Sequence, residues 1–163
     1  MLPDYSGEEL RFYAWVPFQL SPIQQGIQVG HAAVDIVTKY LLDVPDLKNA
    51  LDVALVREWA EKHKTFIILN GGPFGNLDEI RRLVMFSGLP WVKFHEDELS
   101  LKGLMTCVGV IVPESVFNAK PIENGAPYVW SSMMTTVPFY SRTYYEDNEE
   151  TPLIELIKKS RLA

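Results

Sequence analysis

The chain has 163 residues, 47% of them hydrophobic and 22% charged, which is the balance of one globular domain able to bury a core. No apolar run reaches the roughly 18 residues of a membrane span, the acidic N-terminal stretch MLPDYSGEELRF lacks the basic and apolar regions of a signal peptide, and the lone Cys107 excludes an intramolecular disulfide framework or a Cys-based zinc cluster. A net charge of −6 argues against broad non-specific nucleic-acid binding, which needs a basic surface, and a cytoplasmic protein is expected.

In chain order, FYAWVPFQL (12–20) is rich in aromatic residues and reads as a strand. Ser21 followed by Pro22 is a helix start, an N-cap hydroxyl and a proline at the first helical position, opening a helix over 21–40. Pro45 and Asp46 break the chain before a second helix, roughly 46–62, with Leu47, Leu51, Leu55 and Trp59 on its apolar face. KTFIILNGG (64–72) is a strand whose continuous apolar core predicts burial on both sides. Asn76 then reads as an N-cap with Glu79 in the capping-box place, and Gly88 ends that helix. PWVKFHEDE (90–98) and MTCVGVIVP (105–113) supply two more strands. The expected fold is α/β: a single domain with a four-stranded mixed sheet and helices on both faces. Residues 1–117 would form that domain, and 118–163 an irregular C-terminal extension wrapping it, with a short helix over 152–161. Four acids, Glu146, Asp147, Glu149 and Glu150, crowd into this extension, leaving residues 1–145 nearer to neutral.

The helix over 21–40 carries its polar residues in an unusual place. Gln24, Gln28, His31 and Asp35 recur at steps of four, three and four, so at about 100° per residue they lie within roughly 60° of one another. The remainder is apolar or small. A mostly buried helix with one narrow polar ridge is expected, and because buried polar groups must find partners, the ridge should face a cleft or a network.

Familiar chemistry-bearing motifs are absent. GGPFG (71–75) sits where a phosphate loop would, but it lacks the Lys-Ser/Thr of a P-loop and the spacing of a dinucleotide fingerprint. HEDEL (95–99) begins like a metalloprotease signature, yet Leu99 stands where the second histidine ligand must be. No GxSxG nucleophile elbow occurs, and Cys107 lies in an apolar strand as a small core residue would.

Gln28-Val29-Gly30-His31-Ala32 resembles the Gln-x-x-His-Ala motif on the first helix of the type 2 peptidyl-tRNA hydrolases. WAEKHKTFIIL, LDEIRRLVMFSGLPWVKFHED and MTCVGVIVP resemble, in order, that family's next helix end and strand, its third helix and strand, and its last strand, so the likeness spans about residues 12–113. The resemblance implies metal- and cofactor-free cleavage of the ester joining a peptide to tRNA. It implies Asp97 (or Glu96) as the acid, Thr106 as a hydroxyl donor to the carbonyl oxygen, and Gln28 and His31 as positioning groups. The family's helix lysine falls at Gln24, an uncharged residue. Gln24, Asp35 and Lys102 are then candidate substrate contacts, with Lys93, Lys102 or Lys120 able to supply a displaced positive charge.

Plainer roles stand beside these. Ser21 and Gln24 have capping-box spacing, His31 suits a core histidine, Asp35 can pair with Lys39, and Asp97 can be a solvated turn residue. Three functions follow: a hydrolase acting on a tRNA or acyl-RNA ester; a non-catalytic binding protein of the same fold that contacts RNA or a protein partner through its cleft or its aromatic extension (Tyr128, Trp130, Phe139, Tyr140, Tyr144, Tyr145); and, weakest because no cofactor motif is present, an unrelated α/β enzyme acting on a small metabolite. No membrane partner is expected, and the chain would be a monomer or homodimer.

Overall fold

In the computed structural model, residues 7–43, 50–118 and 152–163 are described. Strand β1 (Leu10–Val16) leads into helix α1 (Pro22–Val37), whose last residues pass into a π-helical turn, Thr38–Leu42. Helix α2 (Ala50–Glu58), a second π-helical turn (Trp59–His63) and β2 (Thr65–Asn70) follow. Next come a 3₁₀ turn (Phe74–Asn76), α3 (Leu77–Phe86), β3 (Trp91–His95), the short α4 (Glu98–Leu101) and β4 (Met105–Pro113). The one-turn α5 (Glu114–Phe117) and α6 (Pro152–Lys159) complete the described elements. The fold is α/β, with one four-stranded mixed sheet ordered β2-β1-β4-β3. β1 is parallel to β2 and antiparallel to β4, and β3 is antiparallel to β4.

Each face of the sheet is covered. Phe12, Ala14, Val16, Cys107 and Ile111 pack against Val29, Ala32 and Ile36 of α1 and Leu55, Val56 and Trp59 beyond it. Tyr13, Trp15, Val108, Val110 and Val112 pack against Leu77, Ile80 and Val84 of α3 and Leu153, Ile154 and Ile157 of α6. Alternate residues of one strand thus serve two cores, as a period of two requires. Gly109 leaves room for the Phe12 ring, which a Cβ there would overlap.

Several local expectations are corrected. The first strand runs over 10–16, because the chain turns at Pro17. The expectation that 64–72 is buried on both sides fails: β2 is an edge strand, and within it only Leu69 is buried. The doubly buried strands are the inner pair, β1 and β4. Asn76 makes no side-chain cap, since the 3₁₀ turn holds it at φ −74, ψ −23, a helical rather than an extended N-cap conformation. Of the C-terminal extension, α6 docks on the α3 face, and residues 160–163 run beside β2, where Asn70 N donates to Arg161 O and Ala163 N to Ile68 O. The aromatic segment 128–145 and the acidic run 146–150 lie outside the described residues. Among the described residues no helix is long and apolar enough to cross a membrane.

Candidate active site

The ridge of α1 runs beside β3. Ser21 starts the helix as its spacing predicts: its hydroxyl accepts from Gln24 N, and the Gln24 side chain accepts from Ser21 N at 2.9 Å. Gln24 is thereby occupied with capping. One turn further, Gln28 is 5% exposed and joins two distant parts of the chain. Its Oε1 accepts from the Thr106 hydroxyl at 2.7 Å, and its Nε2 donates to Glu96 Oε1 at 2.6 Å. A carboxylate only accepts, so the amide nitrogen must face Glu96 and the amide oxygen Thr106.

A β-bulge brings Thr106 there. Phe94 opposes Cys107 while His95 opposes Met105, so Thr106 is the extra residue on β4. Simple alternation would send Thr106 to the α3 face, since Cys107 already faces α1. The bulge re-aims it, and its fully buried hydroxyl finds a partner in Gln28. Next to it, burial pushes the Cys107 thiol well above its usual pKa, so it is a protonated core residue.

His31 lies on the exposed side of the ridge, its ring stacked on Phe94 at 4.7 Å between centroids. Asp35 follows, half-buried. Lys39, the alternative partner for Asp35, turns to β3 instead: Nζ donates to Trp91 O at 3.0 Å and sits 4.9 and 4.8 Å from the Tyr40 and Trp91 ring centroids. Partial withdrawal from water lowers the Lys39 pKa, with the charge of Asp52 acting the other way. The Tyr40 hydroxyl accepts from Trp91 N, and burial pushes its pKa up to about 12.

Asp97, next to Glu96 in the chain, is engaged in a different bond. Its Oδ1 accepts from Ser100 N at 2.6 Å, capping α4, and that bond holds its carboxyl below the usual range. Lys102 is exposed at the end of α4 with φ 53, followed by Gly103 at φ 71, two left-handed residues that turn the chain into β4. Lys93 falls between Val92 and Phe94, both packed on the α1 side, so alternation points it to the other face. Lys120 lies outside the described residues.

Gln28, Thr106 and Glu96 are therefore gathered at one end of the sheet from positions 68 and 78 apart, with His31 one turn along the same ridge. Among the described residues no lysine or arginine is paired with Glu96, and no group of three or more His, Cys, Asp or Glu side chains is arranged to hold a metal ion. The resemblance named Glu96 only as the alternative to Asp97; the bulge, a tertiary feature, had no sequence signal. No protein-family model matches the chain, and no curated protein matches it.

Proposed function

We propose that the chain hydrolyses the ester of an acylated tRNA, the chemistry of the type 2 peptidyl-tRNA hydrolases that its motifs resemble. The observation that carries this reading is the Thr106–Gln28–Glu96 chain of hydrogen bonds. Thr106 fixes the orientation of the Gln28 amide, and the amide holds one oxygen of Glu96, leaving the other free for water. Glu96 takes a proton as the water oxygen attacks the ester carbonyl carbon, then returns it to the departing ribose oxygen. His31, exposed one turn along the same ridge, is the donor for the developing oxyanion. Thr106 is then a positioning residue, since its one proton is used on Gln28.

One observation favours a second reading, a non-catalytic binding protein. The Gln24 amide is engaged in the capping box, and among the described residues no lysine or arginine is paired with Glu96, the one charged side chain bonded to Gln28. The experiment is ester release from N-acetyl-aminoacyl-tRNA by the wild-type protein and by Gln24→Lys. The hydrolase reading expects measurable wild-type turnover, raised by the added charge by up to about 10²-fold. No release from either protein, with retained binding of tRNA or another partner, would leave the binding reading in place.

A further inference from the structure

On the face of the sheet opposite Gln28, a cavity of about 490 Å³ lies between the end of β2, α3 and α6. Its position follows from the topology. β1 and β2 are parallel neighbours, yet the chain leaves β1 for α1 on one face and β2 for α3 on the other. Their carboxyl ends therefore form a topological switch point, where open α/β sheets leave a crevice for a ligand. The volume falls within the roughly 300–1,000 Å³ of small-molecule sites.

The walls are pinned to the sheet. Gly71 N donates to Val16 O at 2.8 Å and Phe18 N to Gly72 O at 3.1 Å, tying the loop after β2 to the end of β1. Gly72 stands at φ 76, and a Cβ there would overlap the Asn76 amide. Asn70 Oδ1 accepts from Gly72 N at 2.8 Å, which leaves its Nδ2 to offer. On the α6 side, Ser160 Oγ accepts from Trp15 Nε1 at 3.0 Å and donates to Leu156 O at 2.7 Å, and Arg161 O accepts from Asn70 N.

The lining combines an apolar surface with charge. Ile80 is buried and Leu83 and Leu156 are half-buried, while Lys159 and Arg161 enter from the α6 side. In a chain of net −6, residues 152–163 carry Lys158, Lys159 and Arg161 against Glu155 alone. Lys159 is shared with Glu155 at 3.0 Å, whereas among the described residues no carboxylate is paired with Arg161. The guanidinium fork matches a carboxylate. Glu79 enters from α3 and opposes a dianion, so a single negative charge is favoured. None of the lining side chains is aromatic, so a nucleobase would find no ring to stack on.

We propose that this cavity binds a small monocarboxylate with an apolar chain, the carboxylate on Arg161 and the chain on Ile80, Leu83 and Leu156. The site lies on the other face from Gln28, so the proposal holds whether or not the Gln28 cluster is catalytic.

The test is titration of the isotope-labelled full chain with hexanoate, followed by heteronuclear NMR at the Gly71 and Gly72 amides and the Asn70 and Asn76 side chains. A ligand this small should saturate at about millimolar concentration. Acetate, which keeps the charge, and hexanol, which keeps the chain, should each bind at least about tenfold more weakly. Arg161→Gln should weaken hexanoate at least about tenfold with the rest of the spectrum unchanged. Glu79→Gln should narrow the preference for hexanoate over hexyl phosphate. Absence of saturation by about 20 mM hexanoate would overturn the proposal, as would unchanged affinity in Arg161→Gln. So would adenosine monophosphate shifting the same amides at lower concentration than hexanoate.

Discussion

At its N-terminal end the ridge of α1 sets a neutral amide against a carboxylate, Gln28 on Glu96; about 16 Å further along the axis it sets an ammonium against two aromatic rings, Lys39 on Tyr40 and Trp91. Both ends dock α1 onto β3, but by opposite means. At the first, three polar side chains satisfy one another in a buried site, leaving one carboxylate oxygen available. At the second, the cation is used on the sheet edge, covering the Trp91 carbonyl that an edge strand would otherwise leave open. The contrast shows that Lys39 does not substitute for the cation missing at Gln24. One end of the ridge holds a buried polar network and the other holds a sheet edge.

The comparison is tested most strongly at Thr106. Thr106→Val keeps the shape but leaves the buried Gln28 Oε1 without a donor, and should lower stability by about 1–3 kcal/mol. Urea unfolding should show a lower midpoint at unchanged slope, with Thr106→Ser retaining most of the stability. At the other end, Lys39→Met keeps the stem against the rings and removes the charge. It should cost about 0.5–1 kcal/mol in the same measurement, because the interaction is partly solvated. A larger loss at Lys39 than at Thr106 would reverse the assignment of which end is the buried network.

The smallest effect is a pH dependence at Asp97. Its folded-state carboxyl lies below the ordinary value, held down chiefly by the Ser100 amide. Its contribution is therefore fully present above the ordinary aspartate pKa of about 3.9 and is lost as pH falls through the lower folded value. Hydrogen exchange at the Ser100 amide, corrected for intrinsic rate, should show protection at pH 6 that fades as the pH is lowered through that window. Asp97→Ala should remove this protection at pH 6 and with it the pH dependence.

Much of this was legible in the sequence where the cause is local. The Ser21–Gln24 capping box, the alternation of strands with helices and the polar ridge all depend on residues within a few positions of one another. Pairing between distant strands was not legible. Thr106 reaches Gln28 only through a bulge defined by where β3 meets β4, and Glu96 rather than Asp97 meets Gln28 because Asp97 begins the turn that caps α4. The apolar content of the helix over 21–40 led to the expectation that it is mostly buried, whereas the sheet covers only one face of α1 and leaves Ile23, Ile27 and Val34 exposed. Asn76 had the right neighbour at Glu79, but the preceding 3₁₀ turn fixed its backbone first.

In the proposed hydrolysis the carboxylate held by Gln28 does the chemistry and its sequence neighbour does not. The direct measurement is single-turnover release from N-acetyl-aminoacyl-tRNA by wild type, Glu96→Gln and Asp97→Asn under identical conditions, with melting temperature followed for each. Glu96→Gln should lose about 10²–10⁴ in rate with its fold intact, while Asp97→Asn stays within about threefold of wild type. A large loss at Asp97 with Glu96→Gln near wild type would contradict it.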